Sequence, residues 1–240
     1  MTASIRYGAA QPGEPALRPD LAPAWLRPLL SEVADVDAAT LTRHRILPRP
    51  GARRAAVLMA FADDPSHGPD VLLVERAGTL RNHAGQVAFP GGSTDPGDAG
   101  PIAAALREAE EETGLDPAGV VPLASLPELF IPPSGFVVTP VLAHWALPTA
   151  VHAVDAGETA AVVRVPLDQL SDPANRLLVG HPSGLTGPAF TVAGLLVWGF
   201  TGGLLSALLD LGGWARPWDT SRVEDLESAA LAARQEVAGS

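Results

Sequence analysis

Four glutamates crowd into the stretch Leu106-Arg107-Glu108-Ala109-Glu110-Glu111-Glu112-Thr113-Gly114-Leu115. On a helix each residue advances by about 100°. Glu108, Glu111 and Glu112 stand three and four residues apart and therefore share one face, whereas Glu110 points elsewhere. Like charges at that spacing repel by roughly 0.2–0.5 kcal/mol per pair, and the carbonyl end of the helix disfavours anions further. A hard divalent cation removes both penalties, and an oxygen-only donor set suits Mg²⁺ or Mn²⁺. The chain has no cysteine, which excludes disulfides, thiol catalysis and thiolate metal sites. It also has no lysine, so all 16 basic residues are arginine and Schiff-base chemistry is excluded. Taken alone, the glutamates also fit a solvated acidic helix face. The surroundings favour the metal reading: Gly91-Gly92 and Asp98 precede the run, Arg107 sits inside it as a tether, and Gly114 ends it.

A second constellation lies just upstream, in Arg76-Ala77-Gly78-Thr79-Leu80-Arg81-Asn82-His83-Ala84-Gly85. Arg76, Arg81 and His83 concentrate positive charge in a strongly acidic chain. Guanidinium forks match phosphate oxygens, and Gly85, Gly91 and Gly92 let backbone approach a ligand closely. The competing reading is that these arginines only neutralise nearby glutamates and brace the loop. For His83 the competing reading is a structural hydrogen bond.

The elements that must position these groups follow from pattern. Pro101 fits the first helical position and Gly114 the C-terminal stop, which predicts a helix over Pro101 to Thr113. Its stripe of Ile102, Leu106, Ala109 and Thr113 would pack on a sheet. Strands are expected at Ala55 to Phe61, Val71 to Glu75, Val120 to Leu126, Val137 to Trp145 and Ala160 to Val165. A turn at Asp63, Asp64, Pro65 and Gly68 joins the first two. Gly85 to Phe89 reads as a short extended piece broken by Pro90-Gly91-Gly92. Leu167 to Leu170 reads as a helical turn, and Leu177 to Val179 and Phe190 to Ala193 as further strands. Leu195 to Leu211 reads as a helix. Trp25 to Val33 and Ala38 to His44 read as two short helices before Pro48, Pro50 and Gly51. Mixed strands and few helices around one core give an α/β or α+β sandwich. The organisation expected is an N-terminal extension over 1–50, a domain over 51–213 and a polar, fraying tail over 214–240.

Composition bounds the partners. With 240 residues and 47% apolar content the chain can bury a core without staples. A formal net charge of −11 repels nucleic-acid backbones, so no nucleic-acid partner is expected. Residues 189–209 carry no formal charge over a bilayer-spanning length. Their glycines and hydroxyls, with no basic flank close by, read instead as buried soluble structure, so no membrane contact is expected. The N-terminus lacks an apolar run of signal-peptide type, and the cytoplasm is the expected location.

The helix residues closely resemble the signature of the Nudix hydrolase family. Gly92, Arg107, Glu108, Glu111, Glu112, Gly114 and Leu115 match it. The acid before the helix appears as Asp98, and the spacing from Asp98 to Arg107 is one residue longer than the general pattern. The upstream segment is similar to the additional motif of the coenzyme A pyrophosphatase branch, through Arg76, Arg81, Gly85, Phe89, Pro90, Gly91 and Gly92. Val74 and Ala77 depart from that motif, each lacking a hydroxyl. Further likenesses are Ser134-Gly135-Phe136 leading to Pro140, Val165-Pro166-Leu167, and Trp198-Gly199 followed by Thr201.

The resemblance implies an α/β/α sandwich around a mixed sheet and a metal-dependent hydrolysis of a phosphoanhydride in a small-molecule nucleotide. Coenzyme A or an acyl form would yield 4′-phosphopantetheine and adenosine 3′,5′-bisphosphate. NADH, ADP-ribose or nucleoside triphosphates are the alternative substrates, and a non-catalytic ligand sensor is the alternative class. Glu108, Glu111 and Glu112 would hold Mg²⁺ or Mn²⁺. Glu111 or Glu112 would accept the water proton, with Glu158 a second candidate because similar enzymes place an acid there, and Arg107 would orient the glutamates. Arg76, Arg81, His83, Gly91 and Gly92 would meet the substrate. Relatives are often dimers, so a homodimer is the expected assembly.

Overall fold

The computed structural model describes residues 13–42, 51–80, 83–132, 134–180 and 184–238. The first elements are α1 (Arg27–Val33), α2 (Ala38–Thr42), β1 (Arg53–Asp64), β2 (Gly68–Arg76), β3 (Val87–Ala88), β4 (Gly91–Ser93) and α3 (Pro101–Thr113). Then come β5 (Val120–Ser125), β6 (Leu129–Ile131), β7 (Phe136–Trp145), β8 (Thr159–Pro166) and α4 (Leu167–Ser171). The chain closes with β9 (Arg176–Gly180), β10 (Thr186–Val192), β11 (Leu195–Val197), α5 (Gly199–Leu211), β12 (Val223–Asp225) and α6 (Leu226–Ala238).

The main sheet runs β3-β2-β1-β7-β5, with β4 also on β1, β6 also on β7 and β8 also on β2. β1 and β7 pair in parallel from Arg53–Phe136 to Phe61–His144, and the other pairs of this sheet are antiparallel. β1 is central and nearly continuously apolar because both of its faces are covered. Alternation sends Ala56, Leu58, Ala60 and Ala62 toward Ile102, Ala105, Leu106 and Ala109 of α3. Three of those four strand residues are alanines, which lets the helix lie close. Met59 and Phe61 face the other way, toward Leu29 of α1 and Leu204, Leu205 and Leu208 of α5. Burying each such leucine or phenylalanine contributes about 1.5–3 kcal/mol. The result is an α/β/α sandwich around a mixed sheet, as the pattern of elements requires.

A second, four-stranded sheet runs β11-β10-β9-β12, with β12 parallel to β9. Ala229 and Ala233 of α6 bury against Leu177, Val179, Ala189 and Leu196 of this sheet.

Three sequence expectations change here. Leu195–Val197 is a strand, not the start of a helix, because Ala193 and Gly194 turn the chain back onto β10, and the helix begins only at Gly199. Pro90-Gly91-Gly92 does not simply break an extended segment, since Gly91–Ser93 forms β4 against Val57, Ala56 and Ala55 of β1. Within the expected tail, Val223–Asp225 and Leu226–Ala238 form β12 and α6, as sparse alanines at four-residue spacing are enough to dock the helix. His44, Pro48 and Pro50 lie outside the described residues. Among the described residues no helix is long and apolar enough to cross a membrane, and residues 189–209 divide between β10, β11 and α5.

Candidate active site

Helix α3 is held at both ends by groups that fix where its glutamates stand. Its own N-cap, Gly100, offers no side chain, and the Glu14 carboxylate accepts the Ile102 N–H at 2.8 Å instead. An anion there also complements the helix dipole. At the other end Gly114 adopts φ 68° and donates its N–H to the Glu110 carbonyl at 2.8 Å, the left-handed stop that glycine tolerates best.

The two glycines of β4 form the floor beneath the glutamates. Gly91 donates its N–H to Glu112 Oε2 at 3.0 Å. A Cβ on Gly92 would lie 2.3 Å from Glu108 Oε2, so the Glu108 carboxylate rests directly on that glycine. A Cβ on Gly91 would meet the Ala56 carbonyl oxygen at 2.3 Å, because the strand crosses β1 too closely for any side chain.

Glu112 is almost fully buried, at 9% exposure. Burial pushes its pKa up to about 7, against partial relief from the Gly91 N–H and from Arg76, while Glu108 and Glu158 raise it further. Arg76 Nη1 stands 3.9 Å from Glu112 Oε1. Arg76 Nε is buried with no hydrogen-bond partner among the described residues, a costly state for a charged donor. Glu108 is half-buried and its pKa is also raised, chiefly by burial, with Arg107 opposing and Glu111 and Asp95 adding to the rise.

Arg107 is the hub of the outer half. Its Nε and Nη2 donate to the two oxygens of Asp98 at 3.0 Å each. Its Nη1 donates to Glu108 Oε1 and Glu111 Oε2, both at 3.0 Å, and Nη2 also reaches the Ser93 carbonyl at 3.1 Å. Hydrogen bonding to Asp98 first, then to Glu108, raises the Arg107 pKa, and the Asp98 pKa is lowered by the same pair. Asp98 is therefore a half-buried brace for Arg107. Glu111 is 60% exposed and paired with Arg107.

The structure thus brings together Arg76, Gly91, Gly92, Arg107, Glu108 and Glu112, with Glu158 near enough to act electrostatically on Glu112. The Glu158 carbonyl accepts the Ala77 N–H at 2.8 Å, which ties the turn before β8 to the foot of the arginine hairpin. His83 has φ 57° and pairs through Nδ1 with Gln86 Oε1 at 2.8 Å, a turn-forming contact on an exposed loop. Arg81 lies outside the described residues. Val74 and Ala77 are both buried, so neither side chain faces open solvent.

The oxygen donors of Glu108, Glu111 and Glu112 suit a hard divalent cation. The three carboxylates do not all lie within 4.8 Å of one another, and Arg107 Nη1 holds both Glu108 and Glu111. Among the described residues that spacing is met by Asp64, His67 and Asp70. Asp64 is seven residues along β1 from Val57, about 23 Å at strand rise, so that group is remote from Gly91. Arg164 bridges it, at 3.2 Å from Asp64 and 2.6 Å from Asp70, which makes it an ion-pair network bracing the β1–β2 turn. Two site contacts were invisible in the sequence. Glu14 reaches α3 across 88 positions with no spacing signal, and the Asp98 brace is recognisable only once Arg107 is folded over it.

A NUDIX domain model matches residues 52–182 of this chain. The chain belongs to the Nudix family. The uncharacterized Nudix hydrolase NudL of Cronobacter sakazakii is 46% identical over 130 residues, 54% of this chain and 64% of the relative. NudL of Escherichia coli K12 is 44% identical over 117 residues, 49% of this chain and 59% of the relative. The match thus spans about three-fifths of the length of these curated relatives. Among solved structures, the Nudix hydrolase RenU of M. smegmatis is 22% identical with a TM-score of 0.46, covering 70% of this chain and 90% of its own. The matched segment contains α3, β4 and the hairpin that carries Arg76.

Proposed function

We propose that this Nudix protein hydrolyses the phosphoanhydride of a nucleoside diphosphate derivative, with coenzyme A or an acyl-coenzyme A as substrate and 4′-phosphopantetheine and adenosine 3′,5′-bisphosphate as products. The observation that carries this reading is the pairing of a buried Glu112 with Arg76, whose buried Nε has no hydrogen-bond partner among the described residues. A diphosphate oxygen beside Arg76 supplies the missing acceptor and offsets a desolvated cation.

Glu108, Glu111 and Glu112 would hold Mg²⁺ or Mn²⁺, which when bound neutralises diphosphate charge and acidifies water. The remaining roles belong to the chain. Gly91 fixes Glu112 through its N–H. Gly91 and Gly92 keep the floor flat enough for a phosphate to approach. Arg107 orients Glu108 and Glu111 from behind. Glu111 or Glu112 would receive the proton of the attacking water, and Glu158 is the second acceptor. Arg76 and Arg81 hold the diphosphate, with His83 shaping the hairpin turn. The buried, hydroxyl-free positions Val74 and Ala77 favour a second reading, a wider range that includes NADH, ADP-ribose or nucleoside triphosphates.

The test is hydrolysis of a panel of these compounds in ¹⁸O-labelled water, with and without Mg²⁺, followed by mass spectrometry. Metal-dependent release of labelled 4′-phosphopantetheine or adenosine bisphosphate is expected. Absence of metal-dependent turnover on every member would favour a ligand sensor instead.

A further inference from the structure

The C-terminal helix reaches the hairpin that carries Arg76. Arg234 of α6 places Nη2 3.6 Å from Glu75 Oε1 on one foot of that hairpin. The same nitrogen lies 3.3 Å from the Cβ position of Gly85 on the other foot. The two feet are joined by backbone hydrogen bonds, Arg76 N–H to the Gln86 carbonyl at 2.9 Å and Gly85 N–H to the Arg76 carbonyl at 3.1 Å. Gly85 has φ 68°, so the chain turns at the point where the guanidinium lies on it. Glu75 is mostly buried at 19% exposure and directly precedes Arg76, the residue that faces Glu112.

We infer that Arg234 is a positioning residue for the substrate-binding hairpin, acting through Glu75 and Gly85, and that α6 is thereby part of the active site. The inference rests on the substrate role assigned above to Arg76 and its hairpin. The physical route is short. Helix α6 is anchored by Ala229 and Ala233 on the small sheet, so a cation carried one residue beyond Ala233 has a fixed origin. From there it meets a carboxylate on one arm and flat glycine backbone on the other. Hairpin loops owe their order to such contacts, because their own backbone bonds are few and open to water. An ion pair with one exposed partner contributes at most about 1 kcal/mol, a factor of roughly five.

The experiment compares wild type, Arg234→Ala, Arg234→Lys, Glu75→Gln and the Arg234→Ala/Glu75→Gln pair. Hydrogen–deuterium exchange at the Gly85 and Arg76 amides is measured together with the steady-state kinetics of the substrate that the panel identifies. Arg234→Ala is expected to speed exchange and raise KM about three- to fivefold, with kcat within twofold. Arg234→Lys should recover part of both effects. The double variant should be no worse than Arg234→Ala alone. Unchanged exchange overturns the inference, as does faster exchange with unchanged KM. A KM rise that adds fully to that of Glu75→Gln overturns it too, since Arg234 would then touch substrate directly. Exchange needs no turnover, so a protein that hydrolyses nothing would defeat the proposed function while leaving the clasp measurable.

Discussion

Glu112 and Gly91 are joined across the fold, the carboxylate accepting a 3.0 Å hydrogen bond from a backbone N–H twenty-one residues earlier in the chain. That single bond locks the C-terminal half of α3 onto β4. It fixes the height of the glutamate face above the glycine floor. It also keeps a nearly buried acid pointing at Arg76 and does not let it escape to solvent. A helix presenting acids is common. A helix whose buried acid is pinned to an adjoining strand has a defined place for a ligand.

Burial makes Glu112 pH-sensitive. Its pKa rises from 4.5 to about 7 on folding, so between those values the folded protein binds more protons than the unfolded chain. The Glu112 contribution to stability is then fully present below about 4.5 and is lost as pH climbs to about 7. Glu108 shifts in the same direction. In metal-free protein, the Glu112 contribution amounts to roughly 3 kcal/mol. Urea denaturation from pH 5 to 9 in chelator should show a decline that Glu112→Gln largely abolishes. A flat profile in the parent protein, or the same slope in the variant, would contradict the buried-acid assignment.

Gly91 and Gly92 should fail differently when replaced by alanine. At Gly91 the new methyl meets immobile backbone of β1 at 2.3 Å, so the strand must shift, at a cost of about 1–3 kcal/mol. At Gly92 it meets the mobile end of Glu108, which can swing aside. Gly91→Ala is therefore expected to lower the Tm by several degrees. Gly92→Ala should keep the Tm but weaken Mn²⁺ binding about 10–100-fold in a calorimetric titration. Equal loss of stability in both would mean that the Glu108 carboxylate does not rest on Gly92.

The glutamate face was readable before folding because its information is local. Three- and four-residue spacing, Pro101 at the start and Gly114 at the stop specify both the helix and the side that Glu108, Glu111 and Glu112 share. The central strand was equally plain, since an apolar run with both faces covered needs no partner to be recognised. What the chain did not announce were contacts between distant segments. Glu14 capping α3, Asp98 gripping Arg107 and Arg234 lying over Gly85 depend on where loops and a second sheet come to rest. The divergence of Glu111 from Glu112 belongs to the same class. Helical phase puts both on one arc, but Glu111 pairs with Arg107 while Glu112 accepts from the Gly91 N–H. The short strand β11 was lost in an apolar stretch for another reason: hydrophobicity alone does not separate a strand from the helix that follows it.

Glu14 offers a direct measure of how far the N-terminal segment supports the site. Its carboxylate supplies the N-cap that Gly100 cannot, and such caps contribute about 1 kcal/mol. Glu14→Ala should reduce unfolding free energy by that amount in urea, with little change in kcat, because the glutamate face lies at the opposite end of α3. A loss of activity without loss of stability would instead tie Glu14 to the chemistry.

Arg107 and Glu111 separate positioning from reaction. Lysine at position 107 keeps one positive charge but cannot grip both oxygens of Asp98 while reaching Glu108, Glu111 and the Ser93 carbonyl. Arg107→Lys should therefore weaken Mn²⁺ binding about 10–100-fold, and raising the metal concentration should restore much of the turnover. Glu111→Gln removes a charge from the face itself. If Glu111 leaves Arg107 to serve the cation or the water, kcat should fall by roughly 10²–10⁴ and excess metal should not recover it. The Tm should be nearly unchanged, since the side chain is mostly exposed. Near-normal kcat in Glu111→Gln, with Arg107→Lys equally silent, would show that the outer half of the glutamate face is an ion-pair surface, and would confine the chemistry to Glu108, Glu112 and Arg76.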